Sequence, residues 1–521
     1  MTSTKMSKHL DMPVHKQDKF IQTIHELIKT KMANTVAELV FIPAPGVGHI
    51  MSTIEIARLF VNRDQRLSVT VLIIKPPGLI SGSTVPTYFE SLSKNTTMDR
   101  ISFVELPQDE IPPRSDTKGP LASFDEFVNS HCKYVRSIVA HMTRKPGSAR
   151  VAGFVVDMFC TCMIDVANEF NVPTYVFYTS NAAFLGFKFH ILTLCNDQNQ
   201  DYVIKLGHSD SDIRVPTFVK PVPTKVFPIV MQSRESLDFV LSSARRLREV
   251  KAIMVNSFME LETHAFESLS SNNTIPPVYP VGPILNLEGV SGTRKPSDDD
   301  IIRWLDDQPS SSVVFLCFGS MGSFDKVQVK EIACALEQSG HRFVWSLRQP
   351  ASDHKSHVTR DHEDPGVVLP KRFLERTART GKVIGWAPQV AVLAHPAVGG
   401  FVSHCGWNSL LESVWFGVPV AVWPMYAEQQ INAFEMVVEL GLAIEIKLDY
   451  KRDLLINPLM AETDTVTADN IEQGIRQVME DALMRMKVKR MSEMSRSTVV
   501  EGGSSYASFG SLIQDFIRNV S

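Results

Sequence analysis

WAPQVAVLAHPAVGGFVSHCGWNSLLESVWFGVPVAVWPMYAEQ runs from Trp386 to Gln429, 44 residues. Within it VGGFV reads as a buried strand, SHCG as a tight turn, and WNSLLESVWFG as a helix ended by Gly417 with Pro419 beyond it. VPVAVWP is a second buried strand. Runs that are apolar on both faces must be covered on both, so strand, turn and helix in this succession specify parallel strands joined by helices. The helix opening near Asn408 aims backbone N–H groups and its positive end at a turn carrying His404, Asn408 and Ser409, a favourable place for a phosphate. Glu412 follows Asn408 by four residues, on the same helical face, where its carboxylate can accept hydrogen bonds from ribose hydroxyls. Trp386, just past a strand end, offers a flat face to a base, and Glu428 and Gln429, past the next strand, suit the hydroxyls of a sugar. Singly, Asn408 or Ser409 reads as a cap, a tryptophan as core and Glu412 as a solvated face. Packing does not explain their order as base stacker, phosphate binder, ribose acceptor and sugar binder at successive strand ends.

The same alternation extends in both directions. SSVVFLCFGS, HRFVWSLR, KVIGWA and LAIEIKL are further strands of this half, and the helix around KEIACALEQSG closes at Gly340. Residues 349–368, rich in His, Asp, Pro and Gly, read as an exposed loop. Upstream, YPVGPILNLEGVSGTRKPSDDD breaks the pattern as a linker. Before it, AELVFIPAPGVGH leads into IMSTIEIARLFVNR, SVTVLII follows, VAGFVVD leads into MFCTCMIDVANEF, and VPTYVFYTS comes next. The expected architecture is α/β, two doubly wound parallel-sheet units facing across a cleft at the carboxyl ends of their strands. The expected units are residues 37–283, a linker over 284–300, a second unit over 301–502, and a last helix within 503–521. Residues 1–36 are expected to be an extension outside the core. They mix lysines with acidic residues and lack the apolar run of a secretory signal. Phe20, Ile21, Ile24, Leu27 and Ile28 fall at helical spacing, and folding is expected to start near Met32, so deleting residues 1–31 should leave activity intact.

A chain of 521 residues, 44% apolar and 21% charged, is an ordinary globular protein long enough for several cores. The net charge of −4 supplies no basic footprint for nucleic acid and little attraction to an anionic membrane. Seven cysteines, five of them inside apolar stretches, fit a reducing compartment, and no apolar run of 18 residues predicts a spanning helix. A cytoplasmic monomer is expected.

In the first half, His49 follows a strand and a Pro/Gly turn at the start of a helix, whose positive end disfavours imidazolium. Asp157 ends VAGFVVD and so lies at the same edge of the sheet. A carboxylate on the far ring nitrogen would select the tautomer and stabilise the imidazolium that forms when the ring takes a proton. A capping or packed histidine is the competing reading.

The 44-residue segment resembles, over its whole length, the signature box of plant secondary-product glycosyltransferases, the family 1 UDP-sugar-dependent enzymes. His49 lies in a match to that family's P-x-P-x-x-G-H pattern, and Asp157 matches its catalytic aspartate. The resemblance implies a GT-B fold in which Trp386 stacks on uracil, the backbone of Ala387 hydrogen-bonds it, and Gln389 and Glu412 serve the ribose. It further implies that His404, Asn408 and Ser409 hold the diphosphate with Ser320, that Trp407, Glu428 and Gln429 contact the sugar, and that Thr179 and Ser180 reach it from the first half. Gln at 429 accompanies UDP-glucose in the family, and Glu428 replaces a frequent Asp, as in the MYAEQQ subgroup. The implied reaction is an inverting displacement without a metal or other cofactor. The acceptor takes the place of a triad serine, and UDP-glucose and a small hydrophobic plant phenolic, flavonoid, terpenoid or carboxy compound yield a β-glucoside.

Two other classes are weighed. An NAD-dependent oxidoreductase needs the third glycine of G-x-G-x-x-G, which GVGH lacks. A non-catalytic nucleotide-sugar or small-ligand binder predicts a broken base or box, and both are intact. Asp298, Asp299 and Asp300 read as an acidic helix start after Ser297 rather than metal ligands. The acceptor pocket is expected around Phe124, Phe177, Phe184 and Phe187.

Overall fold

Every side chain of AELVFI is buried, the condition for a central strand covered on both faces. This segment is β1 (Ala37–Ile42) in a computed structural model that describes residues 36–75, 100–107, 119–144, 149–287, 296–350, 359–452 and 465–521. The expected amino-terminal helix, Met32 and nearly all of the extension lie outside the described residues, as do 288–295 of the linker and 351–358 of the predicted loop. Six more strands complete the first sheet: β2 (Leu67–Ile73), β3 (Ile101–Glu105), β4 (Arg150–Asp157), β5 (Thr174–Tyr178), β6 (Ala252–Val255) and β7 (Val278–Pro280). Their order is β3-β2-β1-β4-β5-β6-β7, all parallel. The second sheet is β8 (Val313–Cys317), β9 (Arg342–Ser346), β10 (Gly381–Ile384), β11 (Val398–Ser403), β12 (Val420–Val422) and β13 (Ala443–Glu445). Its order is β10-β9-β8-β11-β12-β13, again parallel. Ile101–Glu105, Ala252–Val255 and Val278–Pro280 have too few apolar residues in a row, or sit too near a proline-rich stretch, to be read as strands from the sequence.

Both sheets reverse their strand order at the middle, between β1 and β4 in one and between β8 and β11 in the other. Helices diverge there to opposite faces and open a crevice beyond the carboxyl ends of the strands. The helices used below are α1 (Val47–Arg63), α2 (Pro120–Ser130), α3 (Ala182–Gln198), α4 (Arg234–Arg246), α5 (Trp407–Phe416), α6 (Gln429–Phe434) and α7 (Ser504–Arg518). A separate helix, Pro296–Asp306, begins with Asp298 and Asp299 in its first turn, the acidic start expected of that run.

One apolar cluster covers a face of the first sheet and continues into the second half, the ring of Phe218 in the first unit lying 5.8 Å from that of Phe434 in the second. The opposite face of the first sheet is closed by α7: Phe509, Leu512, Ile513 and Phe516 join Phe41, Phe60 and Tyr175 in a second cluster. Phe516 meets Phe60 and Tyr175 edge-on at 5.2 and 4.8 Å. The last helix of the chain therefore completes the core of the first unit.

Candidate active site

The switch point of the first sheet carries a histidine–aspartate pair. β1 leads through Pro43–Gly46 into α1, placing His49 in its first turn, and β4 ends on Asp157. His49 Nδ1 and Asp157 Oδ2 are 2.8 Å apart, with Asp157 fully buried and the imidazole partly open. The backbone N–H of Phe159 donates to Asp157 Oδ1 at 3.0 Å, and the Phe159 ring meets the imidazole edge-on at 5.4 Å. Thr179, just past β5, brings its hydroxyl to 3.0 Å from His49 Nδ1. Burial pulls the imidazole pKa down. The charge and hydrogen bond of Asp157, helped by Glu428, outweigh it and raise the pKa above the ordinary histidine value. With Nδ1–H given to Asp157, the lone pair is on Nε2, as a base requires.

Across the crevice, the second switch point gathers the box residues. Gln389 Nε2 donates to Glu412 Oε2 at 2.7 Å and to Ser409 Oγ at 2.8 Å, so residues 20 and more positions apart form one polar cluster. Burial lifts the Glu412 carboxyl to about 7, against the hydrogen bond from Gln389. Trp386 is half exposed, as a stacking platform must be. Its backbone N–H is held by Asp361 at 2.8 Å, and the Arg348 guanidinium lies over its ring at 5.3 Å. Ala387, by contrast, is buried.

α5 starts at Gly406 without a side-chain cap, leaving its first N–H groups for a ligand. His404 sits against this end, buried, with Nδ1 lacking a hydrogen-bond partner among the described residues. Burial lowers its pKa to about 4, against a hydrogen bond to the Cys317 backbone, so near neutral pH the ring is neutral rather than a cation. A Cβ on Gly319, whose φ is +75°, would stand 2.5 Å from His404 Nε2, and one on Gly406 2.6 Å from it. Both glycines are needed for the ring to reach this position. Ser320, next to Gly319, is exposed, and its carbonyl accepts from the Thr359 hydroxyl.

Three box residues tie the halves together. Trp407 is buried and donates its indole N–H to the Asn256 carbonyl at 2.7 Å, while Asn408 reaches the Ser52 hydroxyl of α1 at 3.3 Å. Glu428 accepts from Ser180 Oγ at 3.4 Å. The side-chain oxygen of Gln429 is occupied by the N–H groups of Met425 and Tyr426. The tertiary structure thus joins Ser180 to Glu428, whose charge also reaches His49, and brings Asn408 to Ser52, three residues past His49 on α1.

Sequence reasoning passed over a second interdomain group. Asn181 caps α3 and donates to Asn432 Oδ1 at 2.8 Å and Glu435 Oε2 at 2.7 Å. Glu262 accepts from the N–H groups of Ala182 and Ala183. Burial raises both carboxyls, Glu435 further through the charge of Glu262, and a hydrogen bond joins them. Asn256 directly follows β6, so reading KAIMV as a strand would have flagged it.

The expected aromatic pocket needs correction. Phe177 and Phe187 are fully buried core and Phe184 is nearly so, because β5 and α3 are covered on all sides. A groove of about 280 Å³ lies instead between α2 and α4, lined also by Met158, Phe159 and Thr161 and not by Phe177, Phe184 or Phe187. Phe159 and Phe239 stack at 6.2 Å in its wall, and Phe124 meets Phe159 at 6.0 Å.

These features agree with what the chain resembles. Residues 83–501 match the family described as "UDP-glucoronosyl and UDP-glucosyl transferase". A UDP-glucose flavonoid 3-O-glucosyltransferase 6 of Fragaria ananassa is 52% identical over 91% of this chain and 97% of its own length. UDP-glycosyltransferase 71E1 of Stevia rebaudiana is 51% identical over 92% and 98%. The crystal structure of Medicago truncatula UGT71G1 complexed with UDP-glucose, 39% identical, superposes with a TM-score of 0.79 over 92% of this chain and 98% of that one. Two facing parallel sheets, a His–Asp pair at one switch point and the 44-residue box at the other accord with this match over most of the chain: the protein belongs to the UDP-glycosyltransferase family and is a glycosyltransferase of the GT-B fold.

Proposed function

We propose that the protein transfers glucose from UDP-glucose to a hydroxyl of a small aromatic acceptor with inversion at the anomeric carbon. The observation that carries this reading is the 2.8 Å His49–Asp157 pair facing the box residues across the interdomain crevice. His49 Nε2 removes the acceptor proton while Asp157 stabilises the forming imidazolium. The acceptor oxygen attacks the anomeric carbon, and UDP departs from the opposite face. Trp386 and the Ala387 backbone take the uracil, and Gln389 and Glu412 take the ribose. The α5 end, His404, Asn408, Ser409 and Ser320 take the diphosphate. Trp407, Glu428, Gln429, Thr179 and Ser180 surround the sugar. The α5 helix end, with the polar side chains around it, meets the charge developing on the diphosphate, so no metal is required, and turnover should persist in EDTA.

In this reading residues 37–283 with α7 hold acceptor and base, and residues 301–502 hold the donor. Glucose as the donor sugar is supported by the named glucosyltransferases among the relatives and by the UDP-glucose complex of the Medicago enzyme. Seven free cysteines fit action in the cytosol. Mass spectrometry of products from UDP-glucose and a panel of phenols should reveal hexosides. His49→Ala should lower turnover about 10²–10⁴-fold with UDP binding retained, since general-base catalysis contributes that much. Near-normal turnover in the variant would remove His49 from the mechanism.

A further inference from the structure

The cysteines divide by their surroundings. Cys160, Cys317 and Cys405 are buried, and burial pushes their thiols up, as it does that of the partly exposed Cys195. Cys132 and Cys162, 30 positions apart in sequence, are both partly exposed and lie together. Cys132 opens the helix Cys132–Arg144, and Cys162 immediately precedes the helix Met163–Glu169. The Arg136 guanidinium clamps these two helices to each other by donating to both carboxylate oxygens of Glu169, at 2.6 and 2.7 Å. At their starts, Cys132 Sγ is 3.6 Å from the Met163 thioether, and a hydrogen bond joins the Cys132 and Cys162 thiols.

The two thiols are not equivalent. Cys132 is held below the ordinary thiol range by the hydrogen bond from Cys162, which outweighs burial, and further by the charge of Arg136. Its place in the first turn of a helix acts in the same direction. Cys162 is raised, because it keeps its proton to donate that hydrogen bond and has lost hydration. A sulfur that ionises first beside one that stays protonated is the arrangement in which the first attacks an oxidant and the second resolves the product.

We propose that Cys132 and Cys162 are a redox modification site, a dithiol that a hydroperoxide converts to an intramolecular disulfide, with Cys132 as the attacking sulfur and Cys162 as the resolving one. The Cys132 thiolate attacks one peroxide oxygen: an S–O bond forms, the O–O bond breaks, and the departing oxyanion takes a proton from solvent. The Cys162 sulfur then displaces the hydroxyl of the Cys132 sulfenic acid, and the Cys162 proton leaves with that hydroxyl as water. The two thiols give up two electrons and the peroxide takes them. The cross-link ties Cys132–Arg144 to the turn after Asp157, in which the Cys160 N–H donates to the Asp157 carbonyl at 2.8 Å and the Met163 N–H to the Cys160 carbonyl at 3.0 Å. It forms outside the residues assigned to glucose transfer and does not depend on that assignment. In a reducing compartment such a pair stays as thiols until oxidant rises.

The test maps the full-length protein under non-reducing conditions. Reduced protein is given a small excess of hydrogen peroxide near neutral pH, free thiols are blocked with iodoacetamide, and tryptic peptides are sequenced by mass spectrometry. The expected product joins residues 119–133 to residues 151–188 through Cys132 and Cys162, reverts with dithiothreitol, and forms before Cys195 or Cys334 is oxidised. Cys160 shares the second peptide, so fragment ions between Cys160 and Cys162 assign the sulfur. Cys160→Ser should keep the cross-link. Cys162→Ser should lose it and accumulate a Cys132 sulfenic acid that dimedone traps. Phenylarsine oxide, which bridges two thiols within reach of each other, should protect Cys132 from alkylation in the native protein and not in Cys162→Ser.

Passage of Cys132 to sulfinic acid without a cross-link in the native protein overturns the proposal. A cross-link through Cys160 instead, or earlier oxidation of Cys195 or Cys334, overturns it equally. The peptide map of the native protein decides the matter even if a serine variant fails to fold.

Discussion

Asp157→Asn keeps the size of the side chain and removes its charge. In the native protein Asp157 Oδ1 accepts from the Phe159 N–H and Oδ2 accepts from His49 Nδ1–H at 2.8 Å. An asparagine that keeps its oxygen on Phe159 turns its NH₂ toward Nδ1. The imidazole must then accept at Nδ1 and carry its proton on Nε2, so the atom that should take the acceptor proton is already protonated. The imidazolium forming in the transition state also loses a buried counter-charge. Breaking a buried pair is worth about 3–5 kcal/mol, and at about 1.4 kcal/mol per decade this is about 10²–10⁴ in kcat. The pH profile carries a second signature. Only the neutral ring acts, and its pKa is raised, so the native rate climbs with pH through a midpoint above the ordinary histidine value. Without Asp157 burial dominates, the pKa falls, and the acid limb moves to lower pH while the plateau drops. Initial rates of glucoside formation at saturating donor and acceptor from pH 5 to 9, with UDP affinity by calorimetry and a melting curve as controls, measure both effects. A folded variant with native UDP affinity and less than about a tenfold loss, or with an unmoved acid limb, would refute the pairing as the catalytic device.

Trp386→Ala removes the exposed stacking face and should weaken UDP by about 1–3 kcal/mol, the value of an aromatic–base stack, with a smaller effect on kcat. Direct UDP titration checks it. Glu412, lifted to about 7 by burial, should release a proton when ribose hydroxyls donate to its carboxylate. Calorimetry of UDP binding near pH 6.5 in buffers of different ionisation enthalpy should detect that release in the native protein and not in Glu412→Gln, and UDP affinity should rise with pH from 6 to 8 only in the former. Phe516→Ala empties a site packed against Phe60 and Tyr175 and should cost about 3–5 kcal/mol of stability, read from denaturant midpoints. If the midpoint stays put, α7 is not part of the first unit's core.

Much of the fold is legible because α/β proteins write it in local patterns. VVFLC, VGGFV and VPVAV can be covered only on both faces, and the helices after them are closed by Gly340 and Gly417, both left-handed in the structure. Three strands were not legible: AIMV is four residues long, ISFVE carries polar residues, and VYP ends in a proline. Their pairing partners lie far along the chain, so tertiary contacts rather than propensity recruit them. Aromatic residues misled for the same reason. Phe177 and Phe187 have the composition of a pocket wall, but strand alternation and helix packing turn them into the core, while Phe159 and Phe239 reach the groove from a loop and from α4.

The sequence alone singled out the residues proposed to carry chemistry: His49 after PAPGVG, Asp157 at a strand end, and the ordered polar residues of the 44-residue box. Each sits next to a strand end, and the strand–turn–helix pattern is local. Only the tertiary structure decided what these residues face. The reversal of strand order in each sheet puts β1 beside β4 and β8 beside β11, bringing His49 to Asp157 across 108 positions of sequence and Ser180 to Glu428 across 248. Those distances are products of sheet order and of two units packed on a common apolar cluster, long-range properties that no local run of residues encodes.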